Sequence, residues 1–247
     1  RSATPIATFD PDTFIDYRAR RPTMELRDGV STRLVWPDIQ LKVGHDLNGT
    51  PVVLLTGPEP DSNWKRFAAT FGNLVQQLGV NRFVGLGAYP FAAPHTRDAR
   101  LSITTPSATL AATLNWLKST LDVPAGLNSV LEHTCHDLDL EALGLWAQVP
   151  HYVSGMPYPG AAAALVEGLC TFSGLEIPTG ELRREARLQQ GRIDQLVAGN
   201  EEHEAMVRQL ETAWDAAATA TLPDPDQLPS ADELAAEVER FLRGQAD

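Results

Sequence analysis

Residues 52–89 constrain the fold of this chain more than any other stretch. They open on VVLLTG (52–57), a run of strand length that is apolar through Leu55. Asp61 and Ser62, both suited to cap a helix, precede Trp64, Phe67, Phe71, Leu74, Val75 and Leu78 at helical spacing, and Gly79 ends that pattern. RFVGLGAY (82–89) follows as a second apolar strand. Strands without alternation are those covered on both faces, as in a parallel sheet. Strand, helix and strand at these lengths make one βαβ unit, whose crossover is right-handed.

The flanking segments fit around that unit. Residues 9–17 combine a turn or cap at Asp10, Pro11 and Asp12 with apolar Phe14, Ile15 and Tyr17, which suits a short helix docked by its aromatic face. From residue 23 to 56 apolar and polar residues alternate, and Asp28-Gly29 and Asn48-Gly49 stand where hairpin turns belong, so two or three antiparallel strands are expected. ARLSITTP (99–106) reads as a strand, and Ser107 as the cap of a helix carrying Leu110, Leu114 and Leu117. Residues 127–137 suit a further helix, and LGLWAQVPHYV (143–153) a strand that runs into the loop SGMPYPG.

Beyond Gly160 the pattern is helical throughout. AAAALVEGLCTFSGL (161–175) is small and apolar and should pack closely on the sheet. Residues 181–218 read as a charged helical hairpin, or one long broken helix, standing off the core and interrupted near AGNEEHE. Ser230 with Glu233 forms a capping box for a last amphipathic helix carrying Leu234, Val238, Phe241 and Leu242. The expected fold is α/β: a three-layer core with a mostly parallel central sheet over residues 1–178, and a helical C-terminal region over 179–247.

A formal net charge of −12 repels phosphate backbones, so nucleic acid is not expected as a partner. No apolar run approaches the ~20 residues of a membrane span, and the N-terminus lacks the form of a signal peptide. Cys135 and Cys170 lie in apolar or helical contexts, as reduced thiols and not as a disulfide framework, which points to a cytoplasmic setting.

In an open sheet of this kind the usual crevice lies outside the carboxyl ends of the strands. Three loops occupy that position: TGPEPDSNW (56–64), AYPFAAPHTR (88–97) and PHYVSGMPYPG (150–160). They offer a candidate binding rim of Glu59, Asp61, Trp64, Tyr89, His95, Thr96, Arg97, His151 and Tyr158. As an enzyme, the rim would use Glu59 or His95 as general base and Arg97 as an anion clamp. The simpler reading is structural: Glu59 and Asp61 cap the following helix, the prolines and the His-Thr-Arg group shape a rigid loop, and the Trp64 stripe is core. No nucleophile elbow, phosphate-cradling glycine loop or dinucleotide fingerprint appears at any strand end, and no catalytic set or cofactor is expected. His133, Cys135, His136, Asp137 and Asp139 hint at metal spacing, but further ligands are lacking. A solvated helix end with Cys135 toward the core explains them, and no metal is expected.

Five stretches together resemble the actinobacterial branch of the proteasome assembly chaperone family: FIDYRARRP (14–22), LLTGPEPDSNWKRF (54–67), GVNRFVGLGAYPFAAPHTR (79–97), PHYVSGMPYPGAAAALV (150–166) and LPSADELAAEVERFL (228–242). The similarity keeps register over essentially the whole chain. Its most specific parts are G-x-E-P-x-x-x-W and G-A-x-P-x-x-x-P-H-T-R. The resemblance implies a phosphorylase/hydrolase-like core with the topology of purine nucleoside phosphorylases, C-terminal helices, a homo-oligomer and, as in eukaryotic and some archaeal members, binding of proteasome subunits. The residues that hold phosphate and nucleoside in the enzymes of that fold have no match here. His95, Thr96 and Arg97 are therefore expected to fix a binding loop or an oligomer contact. Members of the family usually carry a buried strand and a glycine-rich turn ahead of the D-Y-R-x-R-P segment, so a sheet built without them should show an open edge. The expected function is that of a non-enzymatic assembly or interaction protein, with a nucleoside phosphorylase-like or hydrolase enzyme acting at the rim as the alternative.

Overall fold

The computed structural model describes residues 3–219. The N-terminal half is antiparallel. β1 (Thr4–Phe9) leads into the short α1 (Pro11–Phe14), where Asp10 caps the helix and buried Phe14 packs edge-on against Phe67 at 5.2 Å. β2 (Thr23–Arg27) and β3 (Val30–Val35) form the hairpin expected at Asp28-Gly29, whose positive φ values of 50° and 81° suit a tight primed turn. β4 (Ile39–His45) and β5 (Pro51–Thr56) form the next, and β4 pairs on its other edge with β1. Sequence reading did not anticipate β1, of which only Phe9 is buried.

The second half is mixed. α2 (Trp64–Gln77) leads to β6 (Arg82–Phe91), which pairs in parallel with all ten residues of β8 (Glu141–Pro150). β7 (Leu101–Thr104) runs antiparallel along the other edge of β8. α3 (Ala108–Thr113) is capped by Ser107 as expected but ends before Leu114 and Leu117. α4 (Leu127–His136) covers one face of this sheet, with Leu131 and Cys135 fully buried. α5 (Pro159–Ser173) covers the other through Ala161, Ala163, Ala164 and Gly168. A Cβ at Gly168 would stand 2.5 Å from Leu101 Cδ1, so the small-residue stripe does bring this helix close to the strands.

The mostly parallel central sheet is not found. β5 and β6, the strands joined by α2, belong to separate three-stranded sheets ordered β1-β4-β5 and β6-β8-β7, and β6–β8 is the sole parallel pair of strands among the described residues. The apolar run of β5 misled because it is covered on one face only. Val53 and Leu55 pack into the core, whereas Leu54 is 40% exposed. The helix layer nevertheless continues across the break: Phe67, Phe71 and Val75 of α2 join Leu131 and Cys135 of α4, Ile39 and Leu41 of β4 and Ala142 of β8 in one cluster. Phe71 meets Phe83 edge-on at 6.0 Å, from one side of the break to the other. A groove of about 250 Å³ lies there, lined by Leu54, Val84, Leu86 and Cys135 among others.

α6 (Gly180–Val197) and α7 (Glu201–Thr219) form the broken helical pair, but they do not stand off the core. Ile193, Val207 and Trp214 are buried, and Ile193 packs with Val149 and Val153. The helix expected at residues 230–244 lies outside the described residues. No helix among the described residues is long and apolar enough to cross a membrane.

Candidate functional site

The predicted rim divides into two groups with different tasks. The β5–α2 loop carries the first. Glu59 Oε1 accepts the Leu127 backbone N–H at 2.7 Å, the first free donor of α4, whose Gly126 cap has no side chain to offer. Glu59 thus caps α4 and not the helix that follows it. Asp61 accepts the Asp16 N–H at 2.9 Å and pairs with Arg20 at 3.0 Å, fastening the N-terminal segment. Neither Asp61 nor Ser62 caps α2. Its first residue is preceded by Asn63 in the left-handed region at φ 58°, whose amide instead donates to the Thr13 carbonyl. Trp64 donates its indole N–H to the Pro60 carbonyl at 2.6 Å.

The second group surrounds the end of β6. His95 is 4% exposed, and each of its ring nitrogens has a partner: Nδ1 is 2.7 Å from the Tyr152 hydroxyl and Nε2 is 3.0 Å from Asp194 Oδ1. The Tyr152 oxygen also accepts the His95 backbone N–H at 2.8 Å. An ionised Asp194 carboxylate can only accept, so the tautomer that satisfies all three bonds donates from Nε2 to Asp194 and accepts the Tyr152 hydroxyl proton at Nδ1. Thr96 donates to Glu211, and Arg97 grips Asp215 through two nitrogens at 2.8 and 3.0 Å and Glu211 at 3.1 Å. The Asp215 hydrogen bond raises the Arg97 pKa, and Arg97 lowers that of Asp215. These three consecutive residues fasten α6 and α7 to the sheet.

The remaining candidates are less central. His151 rests edge-on against Tyr152 with ring centroids 5.3 Å apart. Tyr158 is half-buried, and burial pushes its phenol up to about 12. Tyr89 receives the Gln148 side-chain amide at 3.0 Å and exchanges a hydrogen bond with Ser102 at 3.2 Å, away from the His95 group. A cavity of about 300 Å³ opens beside His95, Arg97 and Tyr158 and is closed by Arg183 and Gln189 of α6. Its second cation is also committed, since Arg183 pairs with Glu167 and, at 2.9 Å, with Asp98. No group of three or more metal-ligating side chains converges among the described residues. Burial pushes the Cys135 thiol to about 12, as befits a core residue.

Sequence reasoning missed the partners: Tyr152, Asp194, Glu211 and Asp215. One signal was available. Glu211 and Asp215 are four apart, hence on one helix face, and matched in charge to the arginine of PHTR. Chemically, the arrangement holds helices. The hydrogen bonds of His95, Thr96 and Arg97 run to Tyr152 and to carboxylates of α6 and α7, and so join those helices to the end of β6.

The profile of the PAC2 family matches residues 2–197. No curated protein matches the chain. Among solved structures it is similar to a protein of unknown function from Corynebacterium glutamicum, with 29% identity and a TM-score of 0.83 over 88% of this chain and 81% of that one. A PAC2 family protein from Streptomyces avermitilis shares 34% identity, with a TM-score of 0.74 over 83% of this chain and 87% of that one. A Mycobacterium tuberculosis proteasome-assembly chaperone homologue shares 30% identity, with a TM-score of 0.76 and the same two coverages, 83% and 87%. Profile and structures agree with the resemblance carried by the G-x-E-P and P-H-T-R stretches, and the chain belongs to the PAC2 family.

Proposed function

We propose that this PAC2 protein is a non-enzymatic assembly protein that associates with itself and engages proteasome subunits. The observation that carries the reading is the use made of the rim: His95, Thr96 and Arg97 are bonded to Tyr152, Asp194, Glu211 and Asp215, and so hold α6 and α7 in place. The similarity to a proteasome-assembly chaperone homologue supplies the partner class. On this reading the rim displays the C-terminal helices at a fixed angle, and those helices meet the partner.

The test is a pull-down from native lysate with the full chain, read by mass spectrometry, beside light scattering of the purified protein. Enrichment of proteasome α- or β-subunits and a mass above that of one chain are expected. A monomer at micromolar concentration that captures no proteasome subunit overturns the proposal. A panel of phosphates and nucleosides is expected to leave the melting temperature unchanged, and a concentration-dependent rise would favour the enzyme instead.

A further inference from the structure

Three glycines clear a patch of the sheet face beside the start of α4. Gly85 of β6 stands opposite Gly144 of β8, and Gly87 opposite Trp146, all four on one face by strand alternation. A Cβ on Gly87 would fall 2.4 Å from Cε3 and Cζ3 of Trp146, and one on Gly144 would fall 2.8 Å from its Nε1. The indole therefore lies along the sheet, its benzo edge over Gly87 and its N–H toward Gly144. That N–H donates to Thr104 Oγ1 at 3.0 Å, and the Thr104 hydroxyl donates to Glu132 Oε2 at 2.8 Å, so two hydrogen bonds in series hold the ring. One side of the ring rests on the strands. Among the described residues nothing stacks on the other: Trp146 is half-buried, joins none of the apolar clusters and has no aromatic or cationic partner.

α4 sets two acceptors beside that ring. Asn128 and Glu132 lie one turn apart on the same helix face. A Cβ on Gly85 would meet Asn128 Cγ at 3.2 Å, and one on Gly144 would meet Glu132 Oε2 at 2.6 Å. Asn128 donates its amide to the Leu86 carbonyl at 3.0 Å, and Glu132 accepts Thr104 with Oε2. Asn128 Oδ1 and Glu132 Oε1 are thereby left without hydrogen-bond partners among the described residues. Both reach the surface, since the one fully buried side-chain polar atom without a partner there is Gln148 Oε1. Glu132 as a whole is 3% exposed, and among the described residues no lysine or arginine pairs with it; the exposed imidazole of His133, next along the helix, is the basic group near it. A carboxylate so far withdrawn from water favours a cation against it. A guanidinium supplies the charge, a plane that stacks on an indole, and a fork of N–H donors that can meet two oxygens at once, whereas an ammonium supplies the charge alone. The net charge of −12 draws cations toward the chain in general.

We propose that this patch is a guanidinium site, in which an arginine side chain of a partner protein stacks on Trp146 and donates to Glu132 Oε1 and Asn128 Oδ1. The site does not depend on which protein supplies the arginine, and so stands apart from proteasome binding. The test is a titration of the full chain with N-acetyl-arginine N-methylamide, followed by the indole N–H resonance of Trp146, which is identified by its absence in Trp146→Phe. That resonance is expected to shift saturably, while those of Trp64 and Trp214 stay in place as the control for folding. The lysine analogue at equal ionic strength should bind about fivefold more weakly or worse. Glu132→Gln, which keeps an acceptor for Thr104, should weaken binding of the arginine compound about tenfold. The absence of a saturable shift, an equal affinity for the lysine analogue, or an unchanged affinity in Glu132→Gln overturns the proposal. Free arginine that binds about tenfold more tightly than the blocked compound also overturns it, and assigns the site to the amino acid itself.

Discussion

Tyr152 is the residue on which the fastening of the C-terminal helices depends. One oxygen serves two atoms of His95, and the imidazole passes the connection on to Asp194 of α6. Tyr152→Phe leaves a backbone N–H and a ring nitrogen of a 4% exposed residue without partners. The expected cost is about 1–3 kcal/mol, read as a lower urea midpoint at unchanged slope. Glu132 has the opposite character. It is 3% exposed, accepts the Thr104 hydroxyl at 2.8 Å, and burial raises its pKa above the ordinary 4.5. A carboxyl raised on folding contributes its stability below pH 4.5 and loses it as pH climbs through the folded value, so at neutral pH its ionisation opposes folding. Glu132→Gln keeps an acceptor for Thr104 and removes that charge. Its melting temperature should exceed wild type by a few degrees at pH 7 and match it near pH 4. An equal gain at both values would rule out ionisation as the cause.

At the scale of elements, the end of β5 is held by a glycine for a steric reason. Gly57 has φ 135°, and a Cβ there would stand 2.3 Å from the Asp38 carbonyl oxygen, where β4 begins. Gly57→Ala should cost about 2 kcal/mol or more, checked by denaturant titration, because neither backbone can give way without losing the β4–β5 ladder. The elements legible in the sequence were those with local signals: the α2 stripe, the Asp28-Gly29 turn, the Ser107 cap and the small face of α5. Pairing was not legible. VVLLTG reads the same whether one face or both are covered, and no local signal says that its strand ends one sheet while β6 begins another. The candidate site was half legible for the same reason. His95, Thr96 and Arg97 could be picked out as a purposeful group, but their partners on α6 and α7 lie 99 to 118 residues further along the chain. Glu59 shows the limit of assigning a cap to its nearest helix, since it caps one that begins 68 residues later.

For the whole molecule, the two signs of carboxylate shift separate the helical region from the core. Asp215 is held below its ordinary 3.8 by Arg97, and Glu167 below 4.5 by the Arg183 that joins α5 to α6. Groups lowered in this way contribute stability above those ordinary values, and lose it as pH falls through the folded ones. Both are partly solvent-exposed, so each contribution is modest and salt-sensitive. Protonation of Glu132 in the core works in the opposite direction and favours the core in acid. Acidification should therefore release α6 and α7 before the β6–β8 core unfolds. Trp214 reports the first step, being 6% exposed with Arg100 stacked over its ring at 3.9 Å. Its emission, isolated as the difference from Trp214→Phe, should shift to the red below about pH 4 while much of the far-ultraviolet dichroism remains. Adding salt should move that first transition to higher pH, because screening weakens the Arg97 and Arg183 pairs. Coincident loss of both signals would mean that the helices and the core unfold as one cooperative unit, and that the Arg97 and Arg183 pairs do not govern the first acid step.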